Sequence, residues 1–224
     1  QWPGALMLTG RPQAWVVALL VVALLPWLLR ASAWSRRWAL LPMATALLAH
    51  GLLQLSDGLV AVERFGRHWL LARHRGRAAL MSTHGDARSC RMAQRMAVVH
   101  GHARLDWVML LDPVATDVLR CWQALAHHVE AAQQGGAPLA SGQMLRSDGL
   151  SLHRPQHRPG PFVLRAGRQR WQLLPRPQAL WFLQEQQRPG IQPVFTGTWL
   201  GFKPSARQRR WLLQHSPGTR FIGL

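Results

Sequence analysis

The chain has 224 residues, room for one compact domain and a smaller appendage. Its 27 basic residues include one lysine, Lys203, leaving 26 Arg, and against nine acids they give a formal net charge of +18. Charge of that sign and size draws polyanions, either nucleic-acid phosphates or an anionic lipid surface, with scattered solvated Arg as the alternative. Two cysteines, Cys90 and Cys121, are too few for a disulfide scaffold or a four-ligand structural zinc. Two buried free thiols are expected, a single bridge being the alternative.

Hydrophobic residues make up 48% of the chain, yet the mean hydropathy is only -0.05. Apolar runs must therefore alternate with an Arg-rich remainder. The chain begins with Gln, which reads as a fragment or a processed product. Residues 14–29 (AWVVALLVVALLPWLL) and 38–55 (WALLPMATALLAHGLLQL) carry no charge. Each is close to the roughly 17 to 25 residues a helix needs to cross a bilayer. Trp15, Trp27, Trp34 and Trp38 sit at their ends like an interfacial belt. A transmembrane hairpin is expected over residues 1–58. The short link contains Arg30, Arg36 and Arg37, so the link is expected in the cytoplasm and everything after residue 56 outside it. No cleavable signal is expected from the residues before the first span, which carry no Met-initiated basic region.

From residue 59 to 224 the pattern is that of a folded domain. LVAVERF, HWLLARH and RAALMS predict three strands, with FGR and RGR as the turns. SCRMAQRMAVVHG predicts a helix with Met92, Met96 and Val99 on one face. RLDWVMLLD predicts a buried strand, and DVLRCWQALAHH a helix with Leu119, Trp122 and Leu125 on its apolar face. GGAPLASG is a loop, followed by strands LSLHRP, FVLRAG and RWQLLP. QALWFLQEQQ is a helix that breaks before Arg188-Pro189-Gly190; PVFTGTWL is a strand, ARQRRWLLQHS a helix and TRFIGL a last strand. Antiparallel hairpins first, then strands alternating with helices, predict an α/β layered sandwich.

The chemistry-bearing stretch is LDPVATD, residues 111–117, between a strand and a helix, with Asp112 and Asp117 and nothing ionisable between them. Helix capping is the preferred role, since a carboxylate at a helix start accepts backbone N–H bonds and meets the favourable end of the dipole. The alternative is weak, oxygen-only ligation of a hard ion such as magnesium with help from His84 or Asp86. His127, His128, His153 and His157 fall at helix ends or in loops without zinc-site spacing, and no GxSxG, P-loop or GxGxxG frame occurs.

The order of elements resembles the metallo-β-lactamase fold, an αββα sandwich. An apolar hairpin running into such a domain resembles, more narrowly, the C-terminal part of the ComEC family, inner-membrane channel proteins of bacterial DNA uptake. The family's Asp-Val-Gly-Gln-Gly-Asp turn falls on Glu63, Arg64, Phe65, Gly66, Arg67 and His68. Its Leu-Ile-Asp-Thr-Gly strand end falls on Leu80, Met81, Ser82, Thr83 and His84, with Gly85 next. Its His-x-Asp-x-Asp-His motif falls on Asp112, Val114, Thr116 and Asp117, after Leu105 and Asp106. The later Gly-Asp strand end falls on Leu174, Pro175 and Arg176, and the Pro-His-His-Gly-Ser on Thr198, Trp199, Leu200, Gly201 and Phe202. Backbone residues of these motifs persist while the ligands differ. The resemblance thus implies a degenerate site with no catalytic residue, no metal and no cofactor.

What it implies instead is a multi-pass protein of the bacterial inner membrane. Its extracytoplasmic domain would bind or guide single-stranded DNA, with membrane lipid, other competence proteins or a second copy as further partners. Arginines interleaved with aromatics suit that task. Candidate phosphate contacts are Arg73, Arg75 and Arg77; Arg165, Arg168 and Arg170; and Lys203, Arg207, Arg209 and Arg210. Trp171 and Trp211 are candidate base stackers, although tryptophan at such spacing more often belongs to a core. A hydrolase rebuilt around Asp112, Asp117, His84 and Asp86, and a membrane-anchored scaffold meeting anionic lipid, are the competing readings.

Overall fold

A computed structural model describes residues 14–29, 33–54, 57–133, 138–155, 161–186, 195–215 and 220–223. Two helices come first, α1 (Ala14–Leu28) and α2 (Ala33–Gln54), and they pack on each other. The expected helix pair is therefore present, but the expected spans are not. Among the described residues no helix is long and apolar enough to cross a membrane. The reason is length and composition: α1 has 15 residues, about 22 Å of helix, and α2 takes in the polar AWSRR at its start. The pair is built inside out. Small residues spaced by seven, Val16 and Ala23 on α1 and Ala39 and Ala46 on α2, are buried, whereas Val22, Leu25, Leu41, Leu48 and Leu52 are exposed.

The domain that follows contains two sheets. The first holds β1 (Gly58–Arg64), β2 (Arg67–His74), β3 (Arg77–Ser82), β4 (Leu105–Leu110) and β5 (Ala126–Ala131) in that order. The β1–β2 and β2–β3 pairs are antiparallel; β3–β4 and β4–β5 are parallel. Both hairpins close through two residues with positive φ, Phe65 (53°) with Gly66 (70°) and Arg75 (46°) with Gly76 (78°). That conformation matches the twist of the flanking strands, which is why FGR and RGR read as turns.

The second sheet runs β11 (Arg220–Ile222), β10 (Gly197–Leu200), β9 (Gln169–Leu174), β8 (Phe162–Ala166), β7 (Leu150–His153), β6 (Met144–Ser147). Its β6 to β9 part is antiparallel and its β9 to β11 part parallel. Helices α3 (Ala87–Val99) and α4 (Thr116–Leu125) belong to the first sheet's connections, α5 (Pro177–Gln186) and α6 (Ala206–His215) to the second's.

Three cores define the layers. Leu70, Met81, Trp107, Leu152, Leu164 and Trp171 meet between the sheets. Trp69, Leu71, Leu80, Cys90, Met96 and Trp122 fill the space between the first sheet and α3 and α4. Leu174, Leu180, Leu200 and Leu212 join the second sheet to α5 and α6. The result is the expected mixed α/β sandwich in four layers, helices outside and two sheets within, each fully buried Leu stabilising it by about 1.5 to 3 kcal/mol. Strands β2, β3 and β4 are apolar on both faces because both faces are covered.

Several expectations change with tertiary packing. Residues 126–131 continue α4 directly into β5, where the sequence pattern prolonged the helix; hydrogen bonding to β4 wins over local helical spacing. Strand β6 lies between the loop GGAPLASG and the strand LSLHRP, in a stretch given no element by the sequence pattern. On α3 the buried face is Cys90, Ala93, Met96 and Ala97, with Val99 exposed, because the helix lies over the first sheet on its small residues. Cys90 and Cys121 are not free thiols: they form a disulfide joining α3 to α4, with Cα atoms 6.4 Å apart. Both helices lie side by side on one sheet face, which the spacing of 31 residues alone does not reveal. The expected break at residues 188–190 and His157 lie outside the described residues.

Candidate functional site

The parallel strands β3 and β4 end in two loops that touch, and the end of β9 reaches toward them from the other sheet. Ligands of α/β proteins commonly sit beyond such carboxyl ends. The first loop, after β3, is held from below: Thr83 Oγ1 accepts from the His68 amide (3.0 Å) and lies 2.9 Å from His84 Nδ1. Asp86 then caps α3, accepting from the Ser89 amide at 2.8 Å, and it pairs with Arg67 at 2.5 Å. Burial acts to raise the Asp86 pKa, but the Ser89 hydrogen bonds and the Arg67 charge outweigh it and leave the carboxyl below its usual range. Trp122 Nε1 on α4 donates to the Gly85 carbonyl at 3.0 Å. Only glycine fits at 85, since a Cβ there would lie 2.5 Å from Val114 Cγ2 of the second loop.

The second loop carries Asp112. Its carboxylate accepts from Arg176 at 2.8 Å, and the same guanidinium donates to the Leu111 carbonyl at 2.8 Å. Arg176 follows β9, so this pair ties the end of one sheet to the end of the other. His84 Nε2 lies 4.0 Å from the second Asp112 oxygen. Beneath them His68 is buried; desolvation lowers its pKa, Glu63 at 4.0 Å opposes that, and His84 adds to it. His68 is thus neutral near pH 7.

Of the residues expected to gather here, His84 and Asp112 do. Asp86 turns away to α3 and Arg67, and Asp117 is exposed in the first turn of α4. The cap expected of Asp112 is not made: the N-cap of α4 is Ala115, which has no side-chain cap bond, and the charge of Arg176 claims the carboxylate instead. Val114 packs against the core under α3 and α4, and Thr116 is exposed on α4. Among the described residues there is no group of three or more His, Cys, Asp or Glu able to hold a metal ion. A two-ion centre does not fit these residues, because two of its donor positions hold Val114 and Thr116 and a guanidinium rests on a third. No spacing rule marks Arg176; the one signal at this position is the resemblance, whose Gly-Asp strand end falls on Leu174, Pro175 and Arg176.

The expected DNA contacts scatter over the surface. Arg73 is half-buried, and burial pushes its guanidinium below the ordinary value. Arg77 is paired with Asp106 at 3.2 Å and faces Asp148 at 3.9 Å. Arg75 is exposed in the β2–β3 turn. Arg165, Arg168 and Arg170 are exposed on the β8–β9 hairpin, and Lys203, Arg207, Arg209 and Arg210 on or before α6. Trp171 belongs to the core between the sheets, and Trp211 is half-buried and stacked on His215 at 4.6 Å. Neither is an open stacking platform, whereas Trp181 on α5 is 68% exposed. The pair His100 and His102 is spaced like two metal ligands, a signal already present in the sequence HGH; burial lowers both pKa values and Arg73 lowers them further.

Neither the comparison with protein families nor that with curated proteins gives a match. Among solved structures, Zn(2+)-bound PqqB from Methylobacterium extorquens is a weak structural neighbour, with a TM-score of 0.32 and 14% identity. The match covers 70% of this chain and 62% of that one, so the chain spans less than two thirds of that protein's length. The four-layer arrangement rests on the strand pairing and the three cores, not on this likeness.

Proposed function

We propose that the chain is the C-terminal part of a bacterial inner-membrane protein of DNA uptake, of the ComEC kind, whose sandwich domain holds or guides single-stranded DNA without cutting it. The ComEC part of this reading rests on the sequence layout alone. The observation that carries the non-catalytic part is the Arg176–Asp112 pair at the ends of β9 and β4. A guanidinium sits on the carboxylate that a hydrolytic ion would need, so the positive charge already there opposes a cation. The net charge of +18 supplies the attraction for a polyanion. The Cys90–Cys121 bridge supports an oxidising, extracytoplasmic setting for the domain. The exposed aliphatic exterior of α1 and α2 supports a lipid or membrane-protein environment for the hairpin.

The test uses the full chain in detergent micelles. Fluorescence anisotropy with a labelled single-stranded oligonucleotide should give an affinity that falls steeply with salt. Incubation with magnesium, manganese or zinc should leave the oligonucleotide intact. Affinity indifferent to ionic strength, or cleavage abolished by Asp112→Ala, would sink the reading, the latter in favour of a metal-dependent phosphodiesterase. The apolar exterior of the hairpin favours one further reading, a membrane-anchored scaffold; binding to acidic vesicles with none to the oligonucleotide would select it.

A further inference from the structure

The outer face of the second sheet changes character along its width. Over β9 and β10 it is covered by α5 and α6 through Leu174, Leu180, Leu200 and Leu212. Over β6 to β8 the strands instead alternate, with Leu145, Leu152, Phe162 and Leu164 turned to the core between the sheets and their neighbours turned outward. That is the pattern of a sheet face left to solvent. The register sets one line of residues across this face: Arg146 on β6 faces Ser151 on β7, Ser151 faces Arg165 on β8, and Arg165 faces Arg170 on β9. All three arginines are exposed. At about 4.8 Å between strands the line is roughly 14 Å long.

Two features of this line call for a ligand. Arg165 and Arg170 stand directly opposite each other, an arrangement that destabilises a sheet unless a counter-charge offsets it. None of the three makes an ion pair with a described carboxylate; Asp148, in the adjoining β6–β7 turn, is directed at Arg77. Arg165 Nε donates to the Gly167 carbonyl at 3.1 Å, which supplies no counter-charge, and the positive charge of the face is unmatched among the described residues. On the same layer, α5 buries Ala179 and Leu180 against the sheet and leaves Trp181 in solvent.

We infer that this face, with Arg146, Arg165 and Arg170 as its line of cations and Trp181 as its aromatic platform, is where an extended single-stranded phosphodiester chain lies. The inference rests on the proposed function and narrows it, moving the strand's path away from the cleft between β4 and β9 and onto the outside of the second sheet. A narrow line of guanidinium groups pairs with successive phosphates of a chain, and an open indole stacks on a base that a single strand leaves unpaired. Arg146 joins the contacts although its strand was not legible in the sequence; Arg168, in the β8–β9 turn, lies at one end of the hairpin.

The experiment compares the full chain in detergent with a triple variant, Arg146→Gln/Arg165→Gln/Arg170→Gln, and with Arg207→Gln/Arg209→Gln/Arg210→Gln on α6. The probe is a labelled oligothymidylate, titrated from low to high salt, with vesicles of anionic and of neutral phospholipid in parallel. Loss of three phosphate contacts should lower the salt slope by about 2 and the affinity at low salt by roughly 100-fold, since each single-strand contact carries a slope of about 0.7. Trp181→Ala should weaken binding by roughly fivefold or more at unchanged slope, as expected for a stacked base. The sheet triple should keep its thermal midpoint, because two opposed like charges are relieved. A slope lowered only by the α6 triple overturns the inference and leaves the proposed function standing. Binding to anionic vesicles that depends on the three arginines, without oligonucleotide binding, overturns both in favour of a lipid surface. A wild-type chain that binds neither probe also overturns both.

Discussion

The bridge between Cys90 and Cys121 gives the sharpest quantitative test of the fold. The two residues close a loop of 31 positions. In the chain-entropy account, a cross-link over that length removes about 12 cal/mol/K from the unfolded ensemble, or about 3.7 kcal/mol at room temperature. Cys90 is fully buried between α3 and the first sheet, so Cys90→Ala adds a small cavity cost of about 1 kcal/mol. The variant Cys90→Ala/Cys121→Ala should therefore lose about 4 to 5 kcal/mol, and its thermal midpoint should drop by about 8 to 20 °C for a domain of this size. Equilibrium urea unfolding of the full chain, followed by circular dichroism with and without reductant, measures it. Reduced wild type and the double variant should agree to about 1 kcal/mol, and the oxidised protein should show the shallower dependence on urea because its unfolded state is more compact. Two thiols titrating in unreduced, unfolded protein would refute the pairing of α3 with α4 by a covalent bond. Equal stability with and without reductant would refute the magnitude.

Gly149 and Gly167, in the β6–β7 and β8–β9 turns, have φ of 73° and 58° and enclose the His74 ring, which a Cβ would approach to 2.0 and 2.7 Å; Asp57 lies 2.8 Å from that ring. Gly149→Ala or Gly167→Ala should each cost about 2 kcal/mol or more in urea unfolding, from overlap and from the left-handed backbone together. Asp86→Ala removes the cap of α3 and should cost about 1 kcal/mol, with Asp86→Asn recovering most of it because the amide oxygen still accepts from Ser89. Buried His68 and His102 and half-buried His100 have lowered pKa values, chiefly through desolvation. Between about pH 6.5 and those lower values the unfolded chain binds protons that the folded chain does not. Their contribution is thus fully present above about pH 6.5 and lost as the solution is acidified. Urea midpoints at about pH 7.5 and 5.5 should show that fall, reduced in His102→Gln; a stability that rises on acidification contradicts it. Asp112→Asn should change stability by less than about 1 kcal/mol, because the Arg176 pair is more than a third exposed and water screens it.

Local chemistry made much of this protein legible from its residues. The turns at Phe65-Gly66 and Arg75-Gly76 were legible because a two-residue hairpin with positive φ needs glycine, and the strands around them because their apolar runs are short and bounded. The sandwich followed from antiparallel hairpins giving way to strand–helix alternation. That Val114, in the stretch between Asp112 and Asp117, offers no donor to an ion could be read from residue type alone.

What the sequence left open is set by contacts across long separations. Whether residues 126–131 are helix or strand depends on β4 offering a free edge, and no local pattern carries that information. The partner of Asp112 is Arg176, 64 residues away, brought to it only because the two sheets stack and end at the same level. The bridge between Cys90 and Cys121 exists because α3 and α4 share one sheet face. Arg146, Arg165 and Arg170 become a single line only through the register of four strands, one of which has too few residues to announce itself. Sequence determined which groups the chain owns and which local shapes they prefer; packing decided which of them meet, because burial and hydrogen bonding reward neighbours in space whatever their distance along the chain.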